Sequence, residues 1–336
     1  MNGTGIMATV TAERCHREFL ESLRSRGMSA VRINSAHVTP EVLERMCGEI
    51  RSAVPGVRIL MDTKGPEIRT TACAVPIQLN EGDRVTLSGG TADSTAELIR
   101  VNVDGLEDSV NEGMEILLDD GAIALHVESV REDMINTRVT RGGMLDARKT
   151  VSVPGARLPQ LPAVSRRDAV NLDAAVRVGI DMVAHSFVRS AADVEAVRGH
   201  ITGSGIELYA KIECREGVEN MESILRAADG LLVARGDLGT QVSLWDIPAI
   251  QYRAIRECRR AGKPSIVATQ ILQSMMHSSV PTRAEVCDIA LAVMEGADTL
   301  LLCGETAVGE YPAECIDVMR RTIESVTRNN LRCKID

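Results

Sequence analysis

Short apolar runs alternate along the chain with longer stretches whose apolar positions recur at helical spacing. The runs are Ile6–Val10, Ala30–Ile33, Val57–Met61, Met182–Ser186, Glu207–Ile212, Leu231–Val233, Ser265–Ala268 and Thr299–Leu302. Between them lie amphipathic segments at Arg14–Ser25, Glu41–Ser52, Arg166–Val178, Val218–Ala228, Ile247–Ala261 and Thr282–Glu295, and a last helix is expected at Pro312–Asn329. A strand covered on both faces reads as an unbroken apolar run, and helices on either side of such strands imply a parallel sheet. Eight such units predict an α/β chain folded as a (β/α)8 TIM barrel. An open doubly wound sheet is the architectural rival, but no GxGxxG follows the first run.

The rhythm breaks once. From about Thr71 to Arg157 it becomes short alternating runs punctuated by Glu81-Gly82-Asp83, Ser88-Gly89-Gly90, Asp119-Asp120-Gly121 and Arg141-Gly142-Gly143. These are hairpin signals, and they predict a small all-β domain inserted after the third strand. The expected division is a catalytic barrel over residues 1–70 and 158–336 with an inserted β lid over 71–157. A domain tethered by two crossings can hinge over a barrel mouth.

Composition narrows the chemistry. With 44% hydrophobic residues but only one Trp, three Tyr and two Phe, the core must be built from aliphatic side chains and Met. A net charge of -9 argues against nucleic acid as the partner. No segment is long and apolar enough to span a bilayer, and the N-terminus lacks a secretory layout, so a cytoplasmic location and no membrane partner are expected. The nine cysteines contain no CxxC pair, and Cys287, Cys303 and Cys315 sit in apolar runs. They are expected to be buried free thiols. Only five of the 38 basic residues are lysines: Lys64, Lys149, Lys211, Lys263 and Lys334. The ordinary reading for Lys263 and Lys334 is incidental survival, whereas the other three fall in motif-like segments that a compact point charge would suit.

In a barrel of this kind the active site gathers at the C-terminal ends of the strands. Those ends carry Arg32 and Asn34, Asp62-Thr63-Lys64, Ser186, Lys211 and Glu213, Arg235 and Asp237, Thr269-Gln270, and Gly304-Glu305-Thr306. Each alone is weak, since strand ends are often polar; their concentration at one rim is the stronger signal. Carboxylates such as Glu213 and Asp237 suit a hard divalent ion, most naturally Mg2+. A lysine beside that ion suits a substrate with negative oxygens, such as a phosphate. The ordinary reading of the acids is an exposed loop pair, and that of Lys211 is a salt bridge to Glu213 on the same strand face.

The segment Met61-Asp62-Thr63-Lys64-Gly65-Pro66-Glu67-Ile68-Arg69-Thr70 resembles the pyruvate kinase stretch that leads into its lid. So do Lys211-Ile212-Glu213, Ala234 to Gly239, Ala268-Thr269-Gln270, Pro281 to Glu285 and Gly304-Glu305-Thr306-Ala307, in order from about residue 6 to residue 325. The resemblance implies phosphoryl transfer from phosphoenolpyruvate to ADP, giving pyruvate and ATP in glycolysis. It implies Mg2+ or Mn2+ on Glu213 and Asp237, with Lys211 meeting the phosphoryl group in flight. Thr269 matches the hydroxyl of the relay that protonates the enolate; as a bare strand-end Thr it would simply bond to backbone. Lys211, Gly236, Asp237, Thr269 and Ser186 match substrate contacts, the last with Phe187. Arg32, also a candidate catalytic residue, joins Asn34, His37, Arg69 and Lys149 as matches to nucleotide or transferred-phosphate contacts. Asp120 matches a lid residue. For Arg69, Lys149 and Asp120 the ordinary readings are solvated charge and a hairpin Asp-Gly.

Departures from the family pattern carry expectations of their own. A potassium site is implied by Asn34, Asp62 and the Thr63 carbonyl, but Ala36 stands where the family places a serine, leaving one oxygen short unless Ser35 or water replaces it. Glu67, by contrast, is the residue type of potassium-dependent members. A weakened potassium site is the expectation. The Gly-Pro expected after the first strand is replaced by Thr9-Val10-Thr11-Ala12, and Thr150 and Ser152 replace a glycine and an asparagine around Lys149. The chain also ends where the family continues into an effector-binding domain, so no sugar-phosphate activation and a homodimer through barrel contacts are expected. Two rivals stay open: a metal-dependent lyase acting on phosphoenolpyruvate or pyruvate, and a catalytically weakened paralogue that only binds such ligands.

Overall fold

The computed structural model describes residues 3–156, 159 and 161–331, with the side chain of His37 left aside. The chain divides into two compact units. One comprises Met1–Gly65, Ala163–Arg235 and Ile247–Asp336; the other comprises Pro66–Pro162 and Gly236–Asp246.

In the first unit Gly5–Thr9, Ala30–Asn34, Arg58–Asp62, Met182–His185, Glu207–Ile212, Gly230–Ala234, Ser265–Ala268 and Thr299–Leu302 form a closed barrel. Each strand pairs in parallel with its barrel neighbours, the last with the first. All eight apolar runs are therefore strands, within a residue or two of the expected bounds. Side chains alternate in and out along a strand. The inward set near the strand starts is Met7, Leu60, Met182, Tyr209, Leu232 and Ile266, interspersed with alanines. This is how a chain with so few aromatics fills a barrel: long flexible side chains alternate with small ones. The same inward parity continues toward the C-terminal rim into Thr9, Arg32, Asp62 and Lys211.

Outside the barrel, Arg166–Val178 and Ile247–Ala261 are helices with the expected limits. The segment expected at Val218–Ala228 is split into Arg215–Glu219 and Met221–Ala227. The break falls at Asn220, whose side-chain amide donates to the Arg189 carbonyl at 2.9 Å. A helix not named from the pattern occupies Ala191–Ile201. Its buried positions, Asp193, Val194, Val197 and Ile201, do keep helical spacing, but alanine, glycine and histidine blur the contrast between its faces.

The turn after the third strand is stapled to the helix that follows the insertion. Asp168, fully buried, accepts from the backbone N–H of Lys64 at 2.8 Å and of Gly65 at 3.2 Å. It also accepts from the Ser165 hydroxyl at 2.6 Å and completes a capping box with Ser165. Gly65 has φ +71, and a Cβ there would lie 2.6 Å from the Ser186 carbonyl oxygen, so only glycine fits.

The second unit is mostly β, with only short helical turns such as Glu107–Ser109 and Leu244–Asp246. A six-stranded sheet runs in the order Val151–Ser152, Glu115–Leu118, Ile123–Arg131, Met134–Arg141, Arg84–Gly89, Leu98–Val101. Gly143–Leu145 pairs separately with Ile77–Leu79. Asp119, Asp120 and Gly121 all take positive φ, the conformation that a tight hairpin needs and that Asp and Gly tolerate best. The core of this unit is aliphatic, including Leu87, Ile99, Ile116, Leu125 and Ile135.

Among the described residues the cysteines are free. Cys315 is buried and Cys303 half-buried, but Cys287 is exposed, because it sits on an outer position of the helix Arg283–Glu295. Among the described residues no helix is long and apolar enough to cross a membrane.

Replacing Asp168 with Ala leaves two loop N–H groups and a helix N-terminus short of an acceptor. It should destabilise the fold by about 3 kcal/mol, read as a lower urea midpoint; an unchanged midpoint would show that the staple is dispensable. A second test concerns Glu295, whose carboxylate accepts from the Gln251 amide at 2.8 Å. Burial, with Asp288 adding, raises its pKa above 4.5 despite that bond. The folded state therefore holds the proton to higher pH than the unfolded chain, and stability is lost as pH climbs from 4.5 through the folded value. Glu295→Gln should be more stable than wild type at about pH 8 and little different near pH 3.5; an equal difference at both would refute the assignment.

Candidate functional site

At the C-terminal rim of the barrel, neighbouring strands bring four charged groups into contact. Register places Asn34 beside Asp62, and Thr9 beside Arg32. Arg32 Nη2 reaches Asp62 Oδ2 at 2.6 Å, and Lys211 Nζ reaches the same oxygen at 3.0 Å. Lys211 also pairs with Glu213 Oε1 at 2.8 Å and donates to Ser186 Oγ at 2.9 Å. Asp62 is 2% exposed, Lys211 7% and Glu213 0%. Burial alone would raise the Asp62 carboxyl, but the charges of Arg32 and Lys211 outweigh it and hold the group below its ordinary value. Burial likewise opposes the Arg32 charge, and Asp62 more than restores it.

Hydrogen bonds extend the cluster along the fourth strand's exit. Ser186 Oγ donates to the Thr63 carbonyl at 2.8 Å, and Ser186 N–H to Thr63 Oγ1 at 3.1 Å. Thr63 Oγ1 lies 2.8 Å from His185 Nδ1. Burial pushes the His185 imidazole down to about 4, keeping it neutral near pH 7. Phe187, at φ 53, donates its N–H to Glu213 Oε2 at 2.8 Å. The ammonium of Lys211 thus has two carboxylate oxygens and a hydroxyl around it.

The remaining candidates are placed as follows. Asn34 accepts from the Ala36 N–H at 3.1 Å and so caps the short turn Ser35–His37. The side chain of His37 lies outside what is described. Thr269 has φ 69, and its hydroxyl donates to the Ala268 carbonyl at 2.6 Å, which is its ordinary reading. Arg69, Lys149, Gly236 and Asp237 belong to the second unit. There Arg69 grips Glu67 through two bonds of 2.6 Å, and its charge is favoured despite burial. Lys149 pairs with Asp119 at 2.9 Å. The Asp237 carbonyl accepts from Thr240 Oγ1 at 2.8 Å, and Thr150 Oγ1 donates to Asp120 at 2.8 Å.

Sequence reasoning passed over two features of this rim. Asp62, weighed only for a potassium ion, is the carboxylate that joins Arg32 to Lys211. Parallel register across the second, third and fifth strands was the signal that could have revealed it. His185 went unremarked beside Ser186, although a histidine in an otherwise apolar strand is itself a flag.

For a divalent ion the rim offers the right donor chemistry. Asp62 Oδ1 is buried without a hydrogen-bond partner, and the Glu213 carboxylate is wholly buried. Cys214 follows Glu213 directly, but burial raises its thiol to about 12 and Sγ contacts the Val188 carbonyl, so it is no soft competitor. Among the described residues no group of three or more His, Cys, Asp or Glu could enclose a metal. Ser35 Oγ is also buried and unpartnered.

A family profile described as pyruvate kinase, barrel domain, matches residues 1–316. The chain is 41% identical over 328 residues to a pyruvate kinase of Geobacillus stearothermophilus, covering 95% of this chain and 56% of that protein. It is 39% identical over 331 residues to that of Sporosarcina psychrophila, covering 96% and 56%. To that of Borreliella burgdorferi it is 34% identical over 329 residues, covering 97% and 69%. It spans little more than half the length of the first two relatives. On the profile match and these identities, this chain belongs to the pyruvate kinase family.

Proposed function

We propose that this chain moves the phosphoryl group of phosphoenolpyruvate to ADP, giving pyruvate and ATP. The observation that carries the reading is the buried Arg32–Asp62–Lys211–Glu213 cluster at the barrel's C-terminal rim. Phosphoryl transfer leaves a protein little covalent work and asks mainly for fixed charge around the migrating group. Lys211, held by a hydroxyl and two carboxylates, is a cation whose position is set before substrate arrives.

In the proposed reaction an oxygen of the ADP β-phosphate attacks phosphorus, and the bond from phosphorus to the enol oxygen breaks. The departing electron pair leaves the enolate of pyruvate. Arg32 and Lys211 supply positive charge facing the phosphoryl oxygens as the group crosses. Glu213 and Asp237 are the proposed holders of Mg2+ or Mn2+, which when bound would draw the substrate carboxylate and phosphate together and offset their charge. Ser186, Gly236 and Asp237 are assigned to substrate binding. Asn34, His37, Arg69 and Lys149 are assigned to the nucleotide side.

The enolate then takes a proton at its terminal carbon from solvent. Because the Thr269 hydrogen is directed to the Ala268 carbonyl, its oxygen serves best as an acceptor that orders a water, and that water delivers the proton. K+ is the proposed monovalent ion at Asn34, Asp62 and the Thr63 carbonyl, held weakly because of Ala36. The partner is a second copy, packed through barrel helices that expose Tyr252 and Leu291. The proposed setting is cytoplasmic glycolysis.

The direct test couples ATP formation to phosphoenolpyruvate and ADP in the presence of Mg2+ and K+. Silence there, with calorimetric binding of phosphoenolpyruvate intact, would favour the ligand-binding paralogue over an enzyme. Lys211→Met should lower kcat by roughly a thousandfold while phosphoenolpyruvate still binds, with circular dichroism confirming the fold; undiminished turnover would remove Lys211 from the mechanism. Glu213→Gln should shift the Mg2+ titration to concentrations about tenfold higher, and an unshifted curve would take Glu213 out of the metal site.

A further inference from the structure

Two consecutive residues of the seventh strand's exit, Thr269 at φ 69 and Gln270 at φ 51, lie in the left-handed region. Neither is glycine, and Thr is β-branched, so this backbone is unfavourable on its own and persists only if its surroundings impose it. One side chain does so. Arg235, at the end of the sixth strand, donates Nε to the Thr269 carbonyl at 3.2 Å and Nη2 to the same oxygen at 2.8 Å. Nη2 also donates to the Gln270 carbonyl at 3.2 Å. Nη1 donates to Asp288 Oδ1 at 2.8 Å and to Gln251 Oε1 at 3.3 Å.

All five guanidinium hydrogens are therefore committed. Three go to the two left-handed carbonyls, and two anchor the fork to the helices behind. The anchor is itself braced, since the Gln251 amide donates to Glu295 Oε2 at 2.8 Å and Arg259 Nη1 to the Glu295 carbonyl at 2.9 Å. A path thus runs from two outer helices through one arginine to the backbone that aims the Thr269 hydroxyl.

We infer that Arg235 is a positioning residue for protonation of the enolate, holding Thr269 in the strained conformation that presents its hydroxyl to the site. This rests on the phosphoryl-transfer reading above and adds to it a residue assigned to neither phosphate nor metal. Lysine is no substitute, because a point charge cannot span two carbonyls, a carboxylate and an amide at once. In the step concerned, the C3–H bond forms with the enolate's electron pair as the carbonyl is restored. The proton comes from the water held by Thr269, and the hydroxide left is reprotonated from bulk solvent.

The test separates protonation from phosphoryl transfer. In deuterated water with Mg2+ and ATP, exchange of the pyruvate methyl protons is followed by proton NMR, beside the ordinary coupled assay. Arg235→Lys should slow exchange roughly 30-fold, as expected for losing well-aligned charged hydrogen bonds, and lower kcat with little change in KM. Thr269→Val should slow exchange comparably, and the double variant should be no slower than Thr269→Val alone. Asp288→Asn, at a partly exposed position, should give a smaller loss in the same direction and serves if Arg235→Lys does not fold. Equal losses in exchange and transfer, or losses that multiply in the double variant, would reduce Arg235 to scaffolding and overturn the inference. Wild-type chain that neither exchanges pyruvate protons nor makes ATP would instead sink the functional reading beneath it.

Discussion

A carboxylate stays ionised in a protein interior only where hydrogen-bond donors or opposite charge are brought against it, and at Asp62 this chain meets that constraint with charge. At 2% exposure it sits between Arg32 and Lys211, both on one of its oxygens at 2.6 and 3.0 Å. Pairing of this kind gains little over a well-packed apolar core, because desolvation consumes most of the attraction. A stability argument therefore does not explain it. What it does secure is geometry: two cations kept a fixed distance apart at the mouth of a barrel, before any anion arrives. Removing any member leaves uncompensated buried charge, so the cluster stands or falls as a unit.

The barrel was legible because its signal is local and repeated. Eight apolar runs separated by amphipathic segments leave few alternatives, and closure follows once each strand must find partners on both edges. The helix Ala191–Ile201 was less visible, since alanine supports a helix without marking which face is buried. The position of the charged cluster was legible from parity: inward residues at strand ends had to meet. Its internal wiring was not. That Lys211 would bond Asp62, Glu213 and Ser186 together depends on the stagger between strands, which no single run encodes. The left-handed pair Thr269-Gln270 was equally hidden, as neither residue type announces positive φ.

The use of basic residues shows the same limit from another side. Scarcity made Lys64, Lys149 and Lys211 look purposeful, and left Lys263 and Lys334 as incidental. Yet the Lys263 ammonium donates to the carbonyls of Leu225, Arg226 and Ala228 at 2.6, 3.2 and 2.6 Å, two in the last turn of the helix Met221–Ala227 and one at the residue that follows it. Lys263 and Lys211 each have three oxygens around the ammonium, so the number of partners does not separate the two. The acceptors do. Lys263 faces neutral carbonyls at a helix end, where a positive charge meets the negative pole of the helix. Lys211 faces two carboxylates and a hydroxyl. Arginine takes the complementary task, because a planar fork can clamp several backbone oxygens whose positions must not change. Arg235 over Thr269 and Gln270 is the clearest instance, its guanidinium reaching two backbone carbonyls, a carboxylate and an amide at once.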